Sequence, residues 1–190
     1  MDSPAIFHRV WRTAPVDDST FETAPLVFTT GTTFDAPVTA VWDVFDSDTA
    51  WEWLPFSWLR LFGAGVRYLT PARGVGVVRE MGSVHGIWRM GWIEHEKFWR
   101  YEPHKRVSYG VERGNWLQRI VVRQYAEHLW FDETPDGRTK VTWQIALNLR
   151  GVFRIGHYLK PIFKFVYRFA LKQAHRQIAV RHQAGSIEIA

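Results

Sequence analysis

The sequence predicts an α+β fold: a curved antiparallel sheet of about six to seven strands wrapped around one long C-terminal helix, with two short helices after the first strand. Three observations carry this. Between Val152 and Gln183, Ile155, Leu159, Ile162, Phe163, Val166, Phe169 and Ala170 fall on one side of a helical wheel, while Lys160, Lys164, Arg168, Lys172 and Arg176 recur every fourth residue on the other. Before that helix, Val141, Trp143, Ile145, Leu147 and Leu149 alternate with Thr142, Gln144, Ala146 and Asn148, the period of a strand with one buried face. The apolar segments upstream are separated by short turns such as Pro135–Asp136–Gly137, which favours antiparallel neighbours.

In chain order, residues 1–25 are punctuated by Pro4, Pro15 and Pro25 and read as an extension, able to form a short edge strand or a docked arm; residues 26–190 form the domain. Leu26–Phe34 is β-branched and Thr-rich, a first strand. Pro37 suits the start of a helix, and Val38, Val41, Trp42 and Phe45 then share one helical face. Asp48 is placed to cap a second short helix through Trp51, Trp53 and Leu54. Strands follow at Val66–Leu69, Gly74–Met81, Ile87–Tyr101, a half-buried segment around Val107, Tyr109 and Val111, and Arg119–Phe131. Pro161 inside the last pattern either kinks the helix or starts it, leaving Val152–Lys160 as a separate turn.

Composition bounds the function. The 190 residues are 46% hydrophobic and 23% charged, values of an ordinary globular domain with room for a core. Eleven tryptophans are many. Each buried indole N–H asks for a partner, so cavities, stacking surfaces and interfaces use such a load more readily than a plain core does. With no cysteine, disulfides and thiolate chemistry are excluded. Met1–Arg12 has an acid and Pro4 but no apolar signal core, and no apolar run reaches membrane-spanning length, so the expectation is a cytoplasmic protein. The net charge of +5 permits contact with an anionic membrane surface or nucleic acid, but much of it sits on the outer helix face, where solvation explains it. No nucleic-acid recognition motif accompanies the charge.

The chain resembles the START-like, helix-grip superfamily, and within it the polyketide cyclase/dehydrase-like group. Phe34–Asp35–Ala36–Pro37 with Val41–Trp42 is similar to that family's first strand running into its first helix. Gly74–Val75–Gly76 with Arg79 resembles its glycine-led strand, and Glu96, Pro103 and Tyr109 its next hairpin. Gly137, Val141 and Trp143 resemble the turn and last strand, before the long helix. The resemblance spans Leu26 to Gln183. Ser83–Trp92 is longer than the family pattern, and the extension has no counterpart in it. The resemblance implies an apolar cavity for lipids, polyketides or other hydrophobic molecules, and no shared catalytic motif.

The motifs that would signal other chemistry fail. His95–Glu96 opens like a zinc-protease helix, but Trp99 stands where the second histidine belongs, and the eight histidines lack ligand spacing; no metal and no cofactor are expected. Gly74–Val75–Gly76 lacks the third glycine of a dinucleotide loop, and no Gly-x-Ser-x-Gly is present. Trp42, Tyr109 and Trp143 suit both core and cavity lining; Trp51, Trp53, Trp88 and Trp92 are candidates for an entrance. Val166 and Phe169 lie on the greasy helix face, with Gln173 either reaching solvent at the helix end or aiming an amide inward. Arg79, Glu96, Arg123 and Glu127 lie in strands of unfixed register, with the surface as their ordinary place. The candidate ligand-binding set is Trp42, Trp53, Trp88, Glu96, Tyr109, Trp143, Val166, Phe169 and Gln173. Three functions stay open: binding of a hydrophobic small molecule, a cyclase, aromatase or dehydratase acting on a polyketide-like substrate, and lipid transfer at a membrane surface. Two convergent polar groups in the cavity would separate the second from the first.

Overall fold

The computed structural model describes residues 9–48, 50, 64–83 and 92–187. The expected second short helix around Trp53, the apolar run 58–62 and most of the segment from Ser83 to Trp92, with Trp88, lie outside the described residues.

Alternation in the sequence becomes two-faced strands. β1 (Trp11–Arg12) and α1 (Thr20–Thr23) precede β2 (Leu26–Phe34), α2 (Val38–Phe45), β3 (Ala64–Tyr68), β4 (Val78–Ser83), β5 (Ile93–Glu102) and β6 (Arg106–Gly114). Then come α3 (Trp116–Val121), β7 (Val122–Glu133), β8 (Thr139–Leu149), a 3₁₀ turn (Gly151–Ile155) and α4 (Gly156–Ile187). The antiparallel path is β2-β8-β7-β6-β5-β4-β3, with β1 added beside β6. β7 and β8 are joined through the Pro135–Asp136–Gly137 turn, where Gly137 takes φ 76°, a left-handed value that glycine adopts without steric cost. In β8, Val141, Trp143, Ile145, Leu147 and Leu149 are all buried, as their spacing demands.

Three expectations about the strands need correction, and one open alternative is decided. The strand expected over Arg119–Phe131 begins as a helix: the Asn115 side chain accepts a hydrogen bond from the Gln118 N–H (3.1 Å) and caps α3, and the strand starts only at Val122. The strand expected from Gly74 starts at Val78, after a turn in which Gly74 and Gly76 have positive φ. β6, expected half-buried, is buried on both faces from Val107 to Val111, because residues 13–21 lie across its outer side. There Val16 sits over Gly110, where a Cβ would approach the valine to 2.5 Å, and Phe21 stacks on His128 with centroids 3.8 Å apart. Finally, α4 passes through Pro161, which falls inside the helix instead of opening it.

The greasy face of α4 divides in two. Ala170, Leu171, Ala174 and Ile178 are buried against the rest of the fold, and the His175 ring lies 4.3 Å from that of Phe34. Ile155, Ile162 and Val166, expected on the packed face, are exposed at 56, 60 and 43%. Ile162 and Val166 therefore stand over an opening, while Phe163 and Tyr167 beside them pack on Phe28 and the turns from Ala170 to Ile178 are anchored.

Candidate functional site

The space under the first half of α4 is a cavity of about 360 Å³, within the usual range of small-molecule sites. Its roof is Ile162, Phe163, Val166, Tyr167 and Ala170. Val121 of α3 and Val122, Leu147 and Leu149 of the sheet make the apolar wall. Met81 and Trp92 stand at the β4–β5 side.

The floor is polar. Glu94 and Glu96 of β5, Tyr109 of β6, Tyr125 and Glu127 of β7 and Trp143 of β8 all face it. All three carboxylates are at least 97% buried. Glu127 is the hub, directly opposite Tyr109 in the β6–β7 register. Its Oε2 accepts from the Tyr109 hydroxyl and from the Trp143 indole N–H (2.8 Å), and its Oε1 accepts from the Tyr167 hydroxyl (3.0 Å). The Tyr125 and Tyr167 hydroxyls are hydrogen-bonded to each other, which extends the chain of donors along the floor. Three donors hold the carboxylate oxygens of Glu127 in place.

Glu94 accepts from the Trp92 indole N–H (2.9 Å). Glu96 faces Arg79 across the β4–β5 pair and forms an ion pair with it, and the Arg79 guanidinium lies 4.3 Å from the Tyr109 ring centroid. This pair is incomplete: Glu96 Oε1 and Arg79 Nη2 are buried without a hydrogen-bond partner among the described residues. Arg79 opens onto a separate hollow of about 20 Å³, room for one water, between the sheet and α2.

Burial in low dielectric opposes charge, and the carboxyls respond. Burial, reinforced by Glu96, lifts the Glu94 carboxyl well above its ordinary range. The same two causes push Glu127 up to about 7, against the pull of its Tyr109 and Trp143 hydrogen bonds and of Arg79. Tyr109 and Tyr167 are also raised, first by burial and then by Glu127, so both remain protonated donors.

Of the residues singled out from sequence, Glu96, Tyr109, Trp143 and Val166 line this cavity. Trp42 lines the small hollow instead, packed edge-on to Tyr101 and Phe131. Phe169 stacks against Phe165 beside the cavity. Gln173 is buried, and its Oε1 accepts from Arg176 (3.3 Å) away from the cavity. Arg79, Glu96 and Glu127 face inward, contrary to the surface expectation, and Arg123 is exposed. Glu94, Tyr125 and Tyr167 were not foreseen. Tyr167 had a usable signal, four residues after Phe163 on the same helical face; Glu94 had one in its i, i+2 spacing to Glu96.

A family model described as polyketide cyclase/dehydrase and lipid transport matches residues 25–178. In structure the chain is similar to a START superfamily protein from Mycobacterium smegmatis, with a TM-score of 0.60 and 8% identity over 80% of this chain and 97% of that one. It is also similar to Ara h 8.0201 (TM-score 0.59, 14% identity, 82% and 98% covered) and to a protein from Chromobacterium violaceum (TM-score 0.55, 15% identity, 81% and 97% covered). At these identities the likeness is one of fold. No curated protein matches the sequence.

Proposed function

The chain belongs to the polyketide cyclase/dehydrase and lipid transport family, and we propose on that premise that it binds a hydrophobic small molecule, of lipid or polyketide-like character, beneath α4. The observation that carries this is the cavity itself, roofed by α4 and open beside the exposed Ile162 and Val166. A ligand burying about 200 Å² of apolar surface there would gain on the order of 5 kcal/mol, part of which offsets the cost of association. Native mass spectrometry after incubation with a lipid extract tests it. A retained hydrophobic mass is expected, absent in Val166→Trp, which plugs the mouth from a half-exposed position. Folded wild-type protein that retains nothing would refute it.

A second function, acid–base catalysis on a polyketide-like substrate, draws on the convergence of Glu94, Glu127, Tyr109 and Tyr167 on one cavity floor. A carboxyl near 7 is suited to exchange a proton at neutral pH. Turnover of a poly-β-keto thioester surrogate that falls at least a hundredfold in Glu127→Gln, with ligand retention kept, would separate it from binding alone. Lipid transfer at an anionic membrane draws on Tyr158, Ile162 and Phe165, exposed beside Lys160, Lys164 and Arg168. Vesicle binding that needs anionic lipid and is lost in salt would support it.

A further inference from the structure

We infer that the polar floor recognises a protonated amine, so that the ligand is an amphiphile with an apolar body and an ammonium head. This rests on the cavity holding a hydrophobic molecule, as proposed above.

The first ground is charge. Glu94, Glu96 and Glu127 face the cavity, and among the described residues the one cation beside them, Arg79, is already paired with Glu96. Two carboxyls are left over in a site walled by apolar and aromatic side chains. Buried carboxylates of this kind either take up protons or receive a cation. The second ground is independent of the count. Glu96 is 1% exposed, lines the cavity, and its Oε1 has no hydrogen-bond partner among the described residues. An orphaned carboxylate oxygen is satisfied by an N–H or O–H donor and by nothing apolar. The third is the aromatic lining: Trp92 and Trp143 border the same cavity as Glu94 and Glu127, and aromatic surroundings suit a cation.

An anionic head fits badly. It would meet three carboxyls, while the unpartnered Nη2 of Arg79 belongs to a residue that lines the small hollow on the other side.

Binding is then linked to proton release. The titratable and charged groups around the head are Arg79 from β4, Glu94 and Glu96 from β5, Tyr109 from β6, Tyr125 and Glu127 from β7, and Tyr167 from α4. Glu94 and Glu127 hold protons more tightly than free carboxyls when the cavity has no cation. An incoming ammonium reverses that preference.

Isothermal titration calorimetry of the full chain with octylamine, 1-octanol and octanoate tests this. Octylamine is expected to bind at least tenfold tighter than octanol, octanoate weakest, and the octylamine affinity is expected to rise several-fold from pH 6 to pH 8 while that of octanol stays level. Glu94→Gln, which leaves the Arg79–Glu96 pair intact, is expected to lose most of the preference for the amine while keeping octanol binding, which reports an intact cavity. Octanol or octanoate binding as tightly as octylamine would overturn the inference and leave the binding function standing. An undiminished amine preference in Glu94→Gln would likewise overturn the assignment to these carboxyls. Failure of all three probes, in protein that is folded, would remove the binding function itself.

Discussion

The Tyr167 hydroxyl on α4 donates to Oε1 of Glu127 in the middle of β7 across 3.0 Å, joining residues 40 apart in sequence. It ties the cavity roof on α4 to the cavity floor on β7. Tyr167→Phe removes this bond and the partner of Tyr125 without changing the packed ring, which stands edge-on to Trp143 at 4.7 Å. The expected cost is about 1.5–3 kcal/mol, the range for a hydrogen bond to a charged group. Urea unfolding would show it as a lower midpoint at unchanged slope.

Glu127 and His128 are sequence neighbours on opposite faces of the sheet, and their titrations act on stability with opposite signs. Burial, then Arg106, lowers the His128 imidazole to about 4 from its ordinary 6.5. Between those values the unfolded chain binds a proton that the folded chain does not, so stability rises with pH and this contribution is complete above 6.5. Glu127 runs the other way: between 4.5 and about 7 the folded chain keeps a proton that the unfolded chain releases, so stability falls as pH rises. The raised Glu94 carboxyl adds to the fall. Glu127→Gln is therefore expected to make the change in unfolding free energy from pH 5 to pH 6.5 more positive than in wild type. Denaturant titrations at both pH values measure it; an unchanged slope would contradict the raised carboxyl.

The N-terminal arm closes the outer face of the sheet where β6 and β7 diverge. The Thr13 N–H donates to Glu112, and Asp18 accepts from the Trp99 indole and Arg100. Burial of the Asp18 contacts is slight, so the packing of Val16 and Phe21 carries most of the effect. Removing residues 1–24 is expected to lower Tm by about 5–10 °C, since each kcal/mol is worth roughly 2–4 °C at this size. Calorimetry of the shortened chain decides; an unchanged Tm would make the arm a separable extension.

Asn115 holds the start of α3 and with it Val121, part of the cavity wall. Asn115→Ala is expected to cost about 1 kcal/mol. It should also weaken ligand retention more than a surface change of equal cost such as Arg123→Gly, because the loosened helix borders the site. Paired stability and binding measurements on the two variants compare these effects.

The sequence by itself determined the succession of first strand, first helix, antiparallel strands and long helix, the first helix face and the period-2 strand from Val141 to Leu149, because each rests on local spacing that any fold must respect. It also placed Trp143 and Tyr109 inside. Tertiary structure alone decided which polar strand residues turn inward. The β5–β6 pair shifts register between His95 and Glu96 and between Phe98 and Arg100, and the β7–β8 pair shifts between Val122 and Gln124. Bulges and pairing decide which face of each strand turns inward, so counting by twos put Glu94 beside Glu96 on β5 but could not bring Glu127 of β7 to the same floor. Nor could spacing show that the stripe on α4 is covered at Ala170, Leu171, Ala174 and Ile178 and open at Ile162 and Val166: an apolar stripe states that a face will be covered, and the curl of the sheet decides where it is covered and where a cavity is left.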